Sequence, residues 1–307
     1  MRGTHLELRF DDKVAVITGA GGGLGRAYAL EFARRGARVV VNDLAVPIGS
    51  ASPPRAEAVA AEIRDARGHA VADAHDVLDG EAIIATALQA FGRVDVVINN
   101  AGVAGGGPLV GGDPASWERT ISTTLHGSIA VTRAAWPHLV TSGAGRVIMT
   151  SSNASFGGAA TAAYSAAKAS MIGLTRSLAA EGKPVGITVN AIMPAAWTRL
   201  TQLLPAGWLT ELLDDRFPPE AVAAFVLWLC HVSTTVTGGS FSVGGGRAAL
   251  VTLVEAKGAV VLEHTPEAWA AATDAVLDLD GHGTPMDMID EVRWQIANLP
   301  TDFRPGS

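Results

Sequence analysis

Cysteine is almost absent from this chain. The 307 residues include only Cys230, so the chain cannot form an internal disulfide or a thiolate cage around a metal. Cys230 lies within the apolar run AFVLWLC, which predicts a buried and unreactive thiol. His126, His138 and His231 have no cysteine or carboxylate at ligand spacing, so we expect no metal site.

Charged residues and long apolar runs are also scarce. Charged residues make up 17% of the chain, the net charge is -7, and the longest Lys/Arg run is the pair Arg34-Arg35. A nucleic-acid surface needs concentrated positive charge, so we expect no nucleic-acid partner. The stretch MRGTHLELRF lacks the apolar segment of a signal peptide, and no apolar run is long enough to predict a membrane span. These absences favour a soluble, cytoplasmic protein.

Short runs rich in β-branched residues alternate with alanine-rich stretches whose apolar residues recur at helical spacing. This alternation predicts an α/β fold, a doubly wound, mainly parallel seven-stranded Rossmann-type sheet with helices on both faces. The predicted strands are 13–19, 37–43, 69–77, 94–100, 145–152, 186–194 and 239–245. We expect a single domain over residues 1–247. A C-terminal extension, 248–307, would pack on the same domain and contain one more strand-like run, GAVVLE.

A glycine-rich turn, TGAGGGLGR, follows the first predicted strand directly and opens a helix. Gly19, Gly23 and Gly25 would let the backbone turn sharply and approach a pyrophosphate at the positive end of that helix. A glycine-rich turn alone is weak evidence, because an ordinary strand–helix turn can also contain glycines. Its place in the chain nevertheless predicts a dinucleotide site.

Asp43 ends the second predicted strand, where its carboxylate can accept hydrogen bonds from the hydroxyls of the adenosine ribose. The same carboxylate would repel the 2′-phosphate of NADP, and neither Gly22 nor Leu44 supplies a compensating cation. NAD is therefore the expected cofactor.

Further cofactor contacts are expected where other strands end, because ligands of open parallel sheets gather at that edge. The third strand ends at Asp76-Val77, which could flank the adenine. The fourth strand ends in a segment with four expected contact residues, Asn99, Asn100, Ala101 and Gly102.

Tyrosine and lysine are rare as well, yet Tyr164 and Lys168 stand four apart in the alanine-rich stretch TAAYSAAKAS. This spacing places both on one face of a helix. A nearby ammonium and an oxidised nicotinamide favour the phenolate, so we expect the pKa of Tyr164 to fall and the phenol to take a proton from an alcohol. Lys168 would also bind the nicotinamide ribose. Ser151 ends the fifth strand, and its Oγ could stabilise the charge on the same substrate oxygen.

The motifs TGAGGGLG, NNAG, Ser151 and YSAAK, in this order, resemble those of the short-chain dehydrogenase/reductase family. Stretches such as GSIAVTRAAW and YSAAKASMIGLTRSLAAEG are similar to one branch, the (3R)-3-hydroxyacyl-CoA dehydrogenase unit of peroxisomal multifunctional enzyme type 2 and its bacterial single-domain relatives. The resemblance implies that Tyr164 is the general base, Lys168 its activator and Ser151 the partner of the substrate oxygen. It adds three expected cofactor positions, Leu24, Pro194 and Thr198.

The resemblance implies NAD-dependent, reversible oxidation of a secondary alcohol to a ketone, with a 3-hydroxyacyl-CoA as the first expected substrate and lipid metabolism as the setting. A hydroxysteroid or another bulky neutral alcohol is the alternative, because few cations, Arg199 and Arg247 among them, are available for CoA phosphates. The loops 103–113 and 195–217 are expected to determine the choice. The glycine-rich region 101–113, AGVAGGGPLVGGD, is expected to be a mobile loop.

One departure from the family pattern leaves an alternative of another class open. Many family members have an asparagine seven residues after Trp117, where this chain has Thr124. A catalytically silent NAD-binding scaffold or sensor is therefore retained as an alternative. The family also implies a homodimer or homotetramer, built partly on the long helices predicted at 115–140 and 164–181.

Overall fold

The central element of the computed structural model, which describes residues 7–44, 54–203 and 205–299, is one β-sheet. Its strands are β1 (Val14–Ile17), β2 (Arg38–Asn42), β3 (His69–Asp73), β4 (Val96–Asn99), β5 (Arg146–Thr150), β6 (Thr188–Pro194), β7 (Ser240–Gly244) and β8 (Arg247–Val251). They lie in the order β3-β2-β1-β4-β5-β6-β7-β8. All pairings from β3 through β7 are parallel. The predicted α/β doubly wound fold is confirmed.

Helices connect the parallel strands. Within the described residues they are α1 (Gly23–Arg34), α2 (Arg55–Asp65), α3 (Gly80–Phe91), α4 (Pro114–Ile121), α5 (Gly127–Ser142), α6 (Ala162–Gly182), α7 (Trp208–Arg216), α8 (Pro219–Cys230), α9 (Pro266–Ala271), α10 (Thr273–Leu277) and α11 (Met288–Ala297). Local sequence sets their ends: Asp113 caps α4 by accepting from the backbone of Ala115 and Ser116, with Pro114 in the first turn. None of the described helices is long and apolar enough to cross a bilayer.

Both faces of the sheet are buried, which explains the continuous apolar runs of its strands. Side chains alternate along β2, so Val39 and Val41 enter the core with α1, α2 and α8, whereas Val40 enters the core with α3, α5 and α6. All three are fully buried. Two cores, one on each face, therefore hold the strand ends in place.

The direction of strand order reverses between β1 and β4. From β1 the chain proceeds outward through β2 and β3, then returns to place β4 on the other side of β1. Ligands of such sheets bind in the crevice at the carboxyl ends of the strands beside this reversal. The fold therefore assigns the glycine turn after β1 and the segment after β4 to one crevice.

The sheet has eight strands among the described residues, so the prediction of seven was wrong by one. Gly245 and Gly246, both with positive φ, connect β7 to β8. A two-residue connection of this kind joins antiparallel strands. The β8 residues are mostly exposed, and this edge strand lacks the apolar signal of the buried strands.

The chain divides into two compact units between Leu250 and Val251. Within the second unit, Glu255 and Gly283 form an isolated antiparallel bridge, and Trp294 Nε1 donates to the carbonyl of Ala256 at 3.3 Å. The run 258–263, predicted as strand-like, is not a strand in the structure. The expected packing of the extension on the sheet domain stays a prediction.

Candidate active site

Tyr164 and Lys168 lie near the start of α6, one helical turn apart. The ammonium nitrogen Nζ of Lys168 lies 5.7 Å from the centre of the Tyr164 ring. The side chain of Tyr164 is half-buried, whereas Lys168 is only 4% exposed. The predicted pairing of the two residues on one helical face is present, and both stand beside the carboxyl end of β5.

Lys168 is a buried amine with one backbone partner. Its Nζ donates to the carbonyl oxygen of Thr150, the last residue of β5, at 2.8 Å. Burial disfavours the charged form and lowers the pKa of Lys168 to about 8. The ammonium form therefore predominates at neutral pH, but at a free-energy cost.

The pKa of Tyr164 is affected mainly by burial. Burial raises it above its ordinary value of 10.0, and a hydrogen bond with the side chain of Ser152 opposes the rise only in part. The expected fall of this pKa depends on an oxidised nicotinamide beside the phenol and stays a prediction, whereas burial by itself acts in the opposite direction. The phenol therefore holds its proton at neutral pH until a further positive charge arrives.

The serine beside the Tyr164 phenol is Ser152, not the predicted Ser151. Ser151 is 1% exposed, and its Oγ donates to the backbone carbonyl of Lys168 at 2.7 Å and contacts Ser155 Oγ at 2.9 Å. Adjacent side chains in extended backbone point in opposite directions, so only one of the two serines can face the phenol. The spacing to Tyr164 could not distinguish them, but the Ser-Ser pair itself was a signal that either could serve.

Ser152 also caps a short 3₁₀ turn, Asn153–Phe156. The backbone N–H of Ala154 donates to Ser152 Oγ at 3.1 Å. This bond fixes the side chain at the point where the chain leaves β5. Ser151 thus binds the α6 backbone at Lys168, whereas Ser152 Oγ contacts the phenol, the backbone N–H of Ala154 and, at 3.1 Å, Asn153 Oδ1.

Thr124 lies in a single π-helical turn, Ser122–His126, between α4 and α5. Its Oγ1 is buried and has no hydrogen-bond partner among the described residues. A methyl group added to Gly102 would lie 3.2 Å from Lys168 Nζ and 3.5 Å from Thr124 Oγ1, so one polar atom of a ligand or water could reach both. The departure from asparagine at this position therefore keeps a hydroxyl beside the buried amine.

The glycine-rich turn has the backbone geometry that a phosphate site needs. Gly19 and Gly23 adopt φ values of +62° and +53°, which are strained for other residues. A Cβ at Gly25 would lie 2.5 Å from the Gly19 carbonyl oxygen, so the turn closes only on glycine. No acidic residue occupies the first turn of α1, and the space beside Gly22 is open. A pyrophosphate fits this helix N-terminus.

Asn99 ends β4 and Asn100 follows it, and their side-chain amides make different contacts. The Asn99 amide is buried and donates to Thr132 Oγ1 at 2.8 Å, so only the backbone of this residue is left for the expected cofactor contact, which stays a prediction. Strand alternation buries the Asn99 amide toward α5. The Asn100 amide donates to the carbonyls of Thr18 and Gly19 at 2.9 and 3.1 Å and joins the β4 end to the glycine turn. Asn100 therefore holds the shape of the turn.

Asp43 lies beside the glycine turn, as predicted. Its Oδ2 accepts the backbone N–H of Gly21 at 3.0 Å. Its Oδ1 accepts Arg55 Nη2 at 3.2 Å, a contact that the sequence did not reveal because Arg55 stands twelve residues away at the start of α2. The carboxylate thus lies between the glycine turn and the start of α2, and a cation accompanies it; its binding of the adenosine ribose stays a prediction.

The remaining predicted cofactor positions surround the same crevice. β3 ends at Asp73, earlier than predicted, so Asp76 and Val77 lie beyond the strand; Asp76 is exposed, while Val77 is buried against Gly127 of α5. Thr198 lies against Gly23, so the segment after β6 reaches the glycine turn. Leu24 packs partly into the core, Pro194 ends β6, and Ala101 N donates to Thr18 Oγ1 at 3.1 Å.

The glycine-rich region 101–113, predicted to be a mobile loop, forms hydrogen bonds with two side chains of α4 in its first half. Trp117 Nε1 donates to the Gly106 carbonyl at 2.6 Å, and Gly106 N donates to Ser116 Oγ at 3.0 Å. Leu109 and Val110 in the second half are almost fully exposed. The loop is therefore anchored beside the site and presents apolar side chains to solvent.

These features fit a nicotinamide dinucleotide: a glycine turn for the pyrophosphate, a carboxylate for the ribose, and an unpartnered buried hydroxyl beside a buried amine. A sequence profile of the short chain dehydrogenase family matches residues 13–205, well over half of the chain. The chain belongs to this family. The predicted family resemblance is confirmed.

Relatives of this short-chain dehydrogenase include both multi-domain and single-domain proteins. It is 43% identical over 286 residues to peroxisomal multifunctional enzyme type 2 of Mus musculus, covering 91% of the chain and 38% of the mouse protein. It is 37% identical over 252 residues to (2S)-[(R)-hydroxy(phenyl)methyl]succinyl-CoA dehydrogenase subunit BbsD of Thauera aromatica, covering 77% of the chain and 96% of that protein.

A solved structure has a similar fold over nearly the whole chain. The full-length peroxisomal multifunctional enzyme type 2 of Drosophila melanogaster superimposes with a TM-score of 0.79 and 34% identity, covering 94% of this chain and 49% of that one. The chain spans 38% to 59% of the length of three multifunctional relatives, from mouse, Drosophila and Dictyostelium discoideum. The other parts of those proteins have no counterpart in this similarity.

Proposed function

We propose that this short-chain dehydrogenase oxidises a 3-hydroxyacyl-CoA to the 3-ketoacyl-CoA with NAD, in a reversible reaction. The observation that carries the proposal is the convergence of Ser152, Tyr164 and Lys168 at the edge of the sheet that holds the glycine turn. The family accounts for a dehydrogenase acting on a CH–OH group. The thioester substrate and the choice of NAD are the proposed parts.

Tyr164 is the group that moves the proton. Its Oη would accept the proton of the substrate hydroxyl during oxidation and return it during reduction. Ser152 Oγ, which already interacts with the phenol, would donate a hydrogen bond to the substrate oxygen and stabilise the negative charge that develops on it. Ser151, the predicted partner, instead fixes the α6 backbone at Lys168.

Lys168, one turn further along α6, supplies positive charge beside the phenol. Its ammonium stays beside the Tyr164 ring because Thr150 holds it, and its remaining donors are available for the nicotinamide ribose and for an atom shared with Thr124. Bound NAD supplies the hydride acceptor and, in its oxidised form, a positive charge that favours the phenolate. Asp43 would bind the adenosine ribose, which is the reason for proposing NAD.

An apolar rim supports an acyl substrate. Large apolar side chains stand exposed on the connections that follow β4, β5 and β6, at the same edge as the site: Leu109, Val110, Phe156, Leu200 and Trp208. Exposed apolar side chains concentrated at one edge are typical of a ligand or partner site. A fatty acyl chain lying on this rim would remove them from water.

The few cations available for the phosphates of a CoA thioester include two exposed arginines at the same edge. Arg199 follows β6, and Arg247 begins β8, whose antiparallel direction brings its first residue to the carboxyl end of β7. Guanidinium groups bind phosphates well. The name of the Thauera aromatica relative also describes a CoA thioester dehydrogenase. A hydroxysteroid remains the second candidate substrate, because the rim alone would suit any bulky apolar alcohol.

The experiment is a substrate panel followed at 340 nm with NAD. It includes both enantiomers of short- and long-chain 3-hydroxyacyl-CoAs, the matching free 3-hydroxy acids, and hydroxysteroids. We expect the 3R thioesters to react with the highest kcat/KM and the free acids to react poorly, because the CoA contacts are lost. Turnover of steroids alone would contradict the thioester assignment, and NAD binding with no turnover of any member would support the scaffold alternative.

Assembly and location are part of the proposal. The family implies a homodimer or homotetramer with α5 and α6 at the interface. Sedimentation equilibrium would test this by measuring the molar mass of the assembly. The names of the mouse and Drosophila relatives place those proteins in peroxisomes. For this chain we propose the cytoplasm, and cell fractionation would contradict this if the protein sedimented with organelles.

A further inference from the structure

Arg146 begins β5, at the edge of the sheet opposite the candidate active site, and it is only 5% exposed. Its Nη1 donates to the carbonyl of Gly145 at 2.9 Å, and its Nη2 donates to the carbonyl of Val232 at 3.3 Å. Its Nε is buried and has no hydrogen-bond partner in the part of the chain that the structure describes. Burial lowers the pKa of Arg146, because the charged guanidinium loses hydration there.

The described residues around Arg146 leave its charge without a counter-charge. Asp95 precedes β4 beside it, but both carboxylate oxygens of Asp95 are bound by Arg93, at 2.6 and 2.8 Å. Lys13 Nζ lies a further 3.5 Å from the same carboxylate. The thiol of Cys230 adds no negative charge, because burial raises its pKa to about 12. Two backbone carbonyls satisfy the guanidinium as a donor but carry no net charge.

A cavity of about 30 Å³ adjoins the Arg146 side chain. Three cations line it, Arg9, Lys13 and Arg146, and the one carboxylate among its described lining residues is Asp95. His231 also lines the cavity, and burial lowers the pKa of its imidazole, so this group is uncharged at neutral pH. The side chain of Arg9 is 48% exposed, so the cavity borders solvent and an ion can enter it.

Size and charge together indicate what the cavity holds. Its volume suits a water molecule or a monatomic ion. A water molecule would accept a hydrogen bond but leave the guanidinium charge uncompensated, and a buried charge without a partner is strongly destabilising. We propose that this cavity is a binding site for one monovalent anion of halide size, with chloride as its ligand and Arg146 as the main contact. The site lies at the amino ends of β4 and β5, so the anion stabilises the sheet, independently of the proposed function.

Thermal unfolding of the full chain, followed by circular dichroism, tests the site through Tm. Sodium chloride is exchanged for sodium gluconate at constant ionic strength, because gluconate is too large for the cavity. Chloride at ten times its Kd should raise the Tm of wild type by about 3 °C, and the rise should saturate. Arg146→Met keeps the side-chain length without the charge and should lose this response. Arg38→Met is the matched control, because Arg38 also begins a strand but does not line the cavity, and it should respond as wild type does.

Bromide locates the anion directly. In wild-type crystals soaked in sodium bromide, we expect an anomalous peak in the cavity beside the Arg146 guanidinium. Density there without an anomalous signal would identify water and overturn the proposal. Equal Tm values in chloride and gluconate, or an undiminished chloride response in Arg146→Met, would also overturn it. If Arg146→Met fails to fold, the bromide measurement on wild type decides the question.

Discussion

Replacing Lys168 by methionine should stabilise the fold while abolishing activity. The pKa of Lys168 falls from 10.5 to about 8 because the amine is buried. Each pKa unit corresponds to about 1.4 kcal/mol, so the buried ammonium costs about 3 kcal/mol of stability at neutral pH. The variant also loses the hydrogen bond to Thr150, worth about 1 kcal/mol, so the expected net gain is about 2 kcal/mol.

The stability difference between Lys168→Met and wild type should depend on pH. Between pH 8 and 10.5 the unfolded chain binds a proton at Lys168 that the folded chain does not, so wild-type stability rises with pH over that range relative to the variant. The advantage of Lys168→Met should therefore be full below pH 8 and shrink toward pH 10.5. Urea denaturation followed by circular dichroism at pH 7 and pH 9.5 measures both quantities.

The matched control is Lys183→Met, which removes an exposed lysine beyond the end of α6. Its effect should stay within about 0.5 kcal/mol at both pH values. The reasoning would be refuted if Lys168→Met were no more stable than wild type at pH 7, or if its advantage were the same at both pH values.

Three further outcomes are expected. Ser152→Ala should lower kcat/KM about 10²- to 10³-fold with NAD affinity unchanged. Ser151→Ala should mainly lower the free energy of unfolding, by about 1 kcal/mol. Equal losses of kcat/KM in the two variants would contradict the assignment of the two serines. Gly25→Ala should destabilise the fold by about 1 to 3 kcal/mol because its Cβ meets backbone at 2.5 Å, while Gly22→Ala, which meets nothing within 4 Å, should fold normally in thermal denaturation. Because burial raises the pKa of Tyr164, kcat/KM for oxidation should increase with pH through the alkaline range, and a flat profile would count against the phenol as base.

The sequence predicted the sheet and the helical pair well because both follow from periodic patterns. The run Val39-Val40-Val41 predicts a strand that is buried on both faces. The four-residue spacing of Tyr164 and Lys168 places them on the same face of a helix. β8 was missed because an exposed edge strand carries no comparable apolar pattern.

The parts of the site that the sequence could not give depend on directions and distances between elements. Whether Ser151 or Ser152 faces the phenol depends on the exact exit of the chain from β5, which a one-residue difference reverses. Arg55 reaches Asp43 only because α2 begins beside the end of β2. The upward shift of the Tyr164 pKa depends on burial, which residue spacing does not report.

The central claim is that Tyr164 Oη transfers the proton between enzyme and alcohol. The direct measurement compares wild type and Tyr164→Phe in single-turnover formation of NADH, using the most reactive alcohol of the panel, together with the NADH dissociation constant of each protein. We predict a loss of turnover of about 10²- to 10⁴-fold with nearly equal NADH affinity. Turnover by Tyr164→Phe within tenfold of wild type would contradict the account.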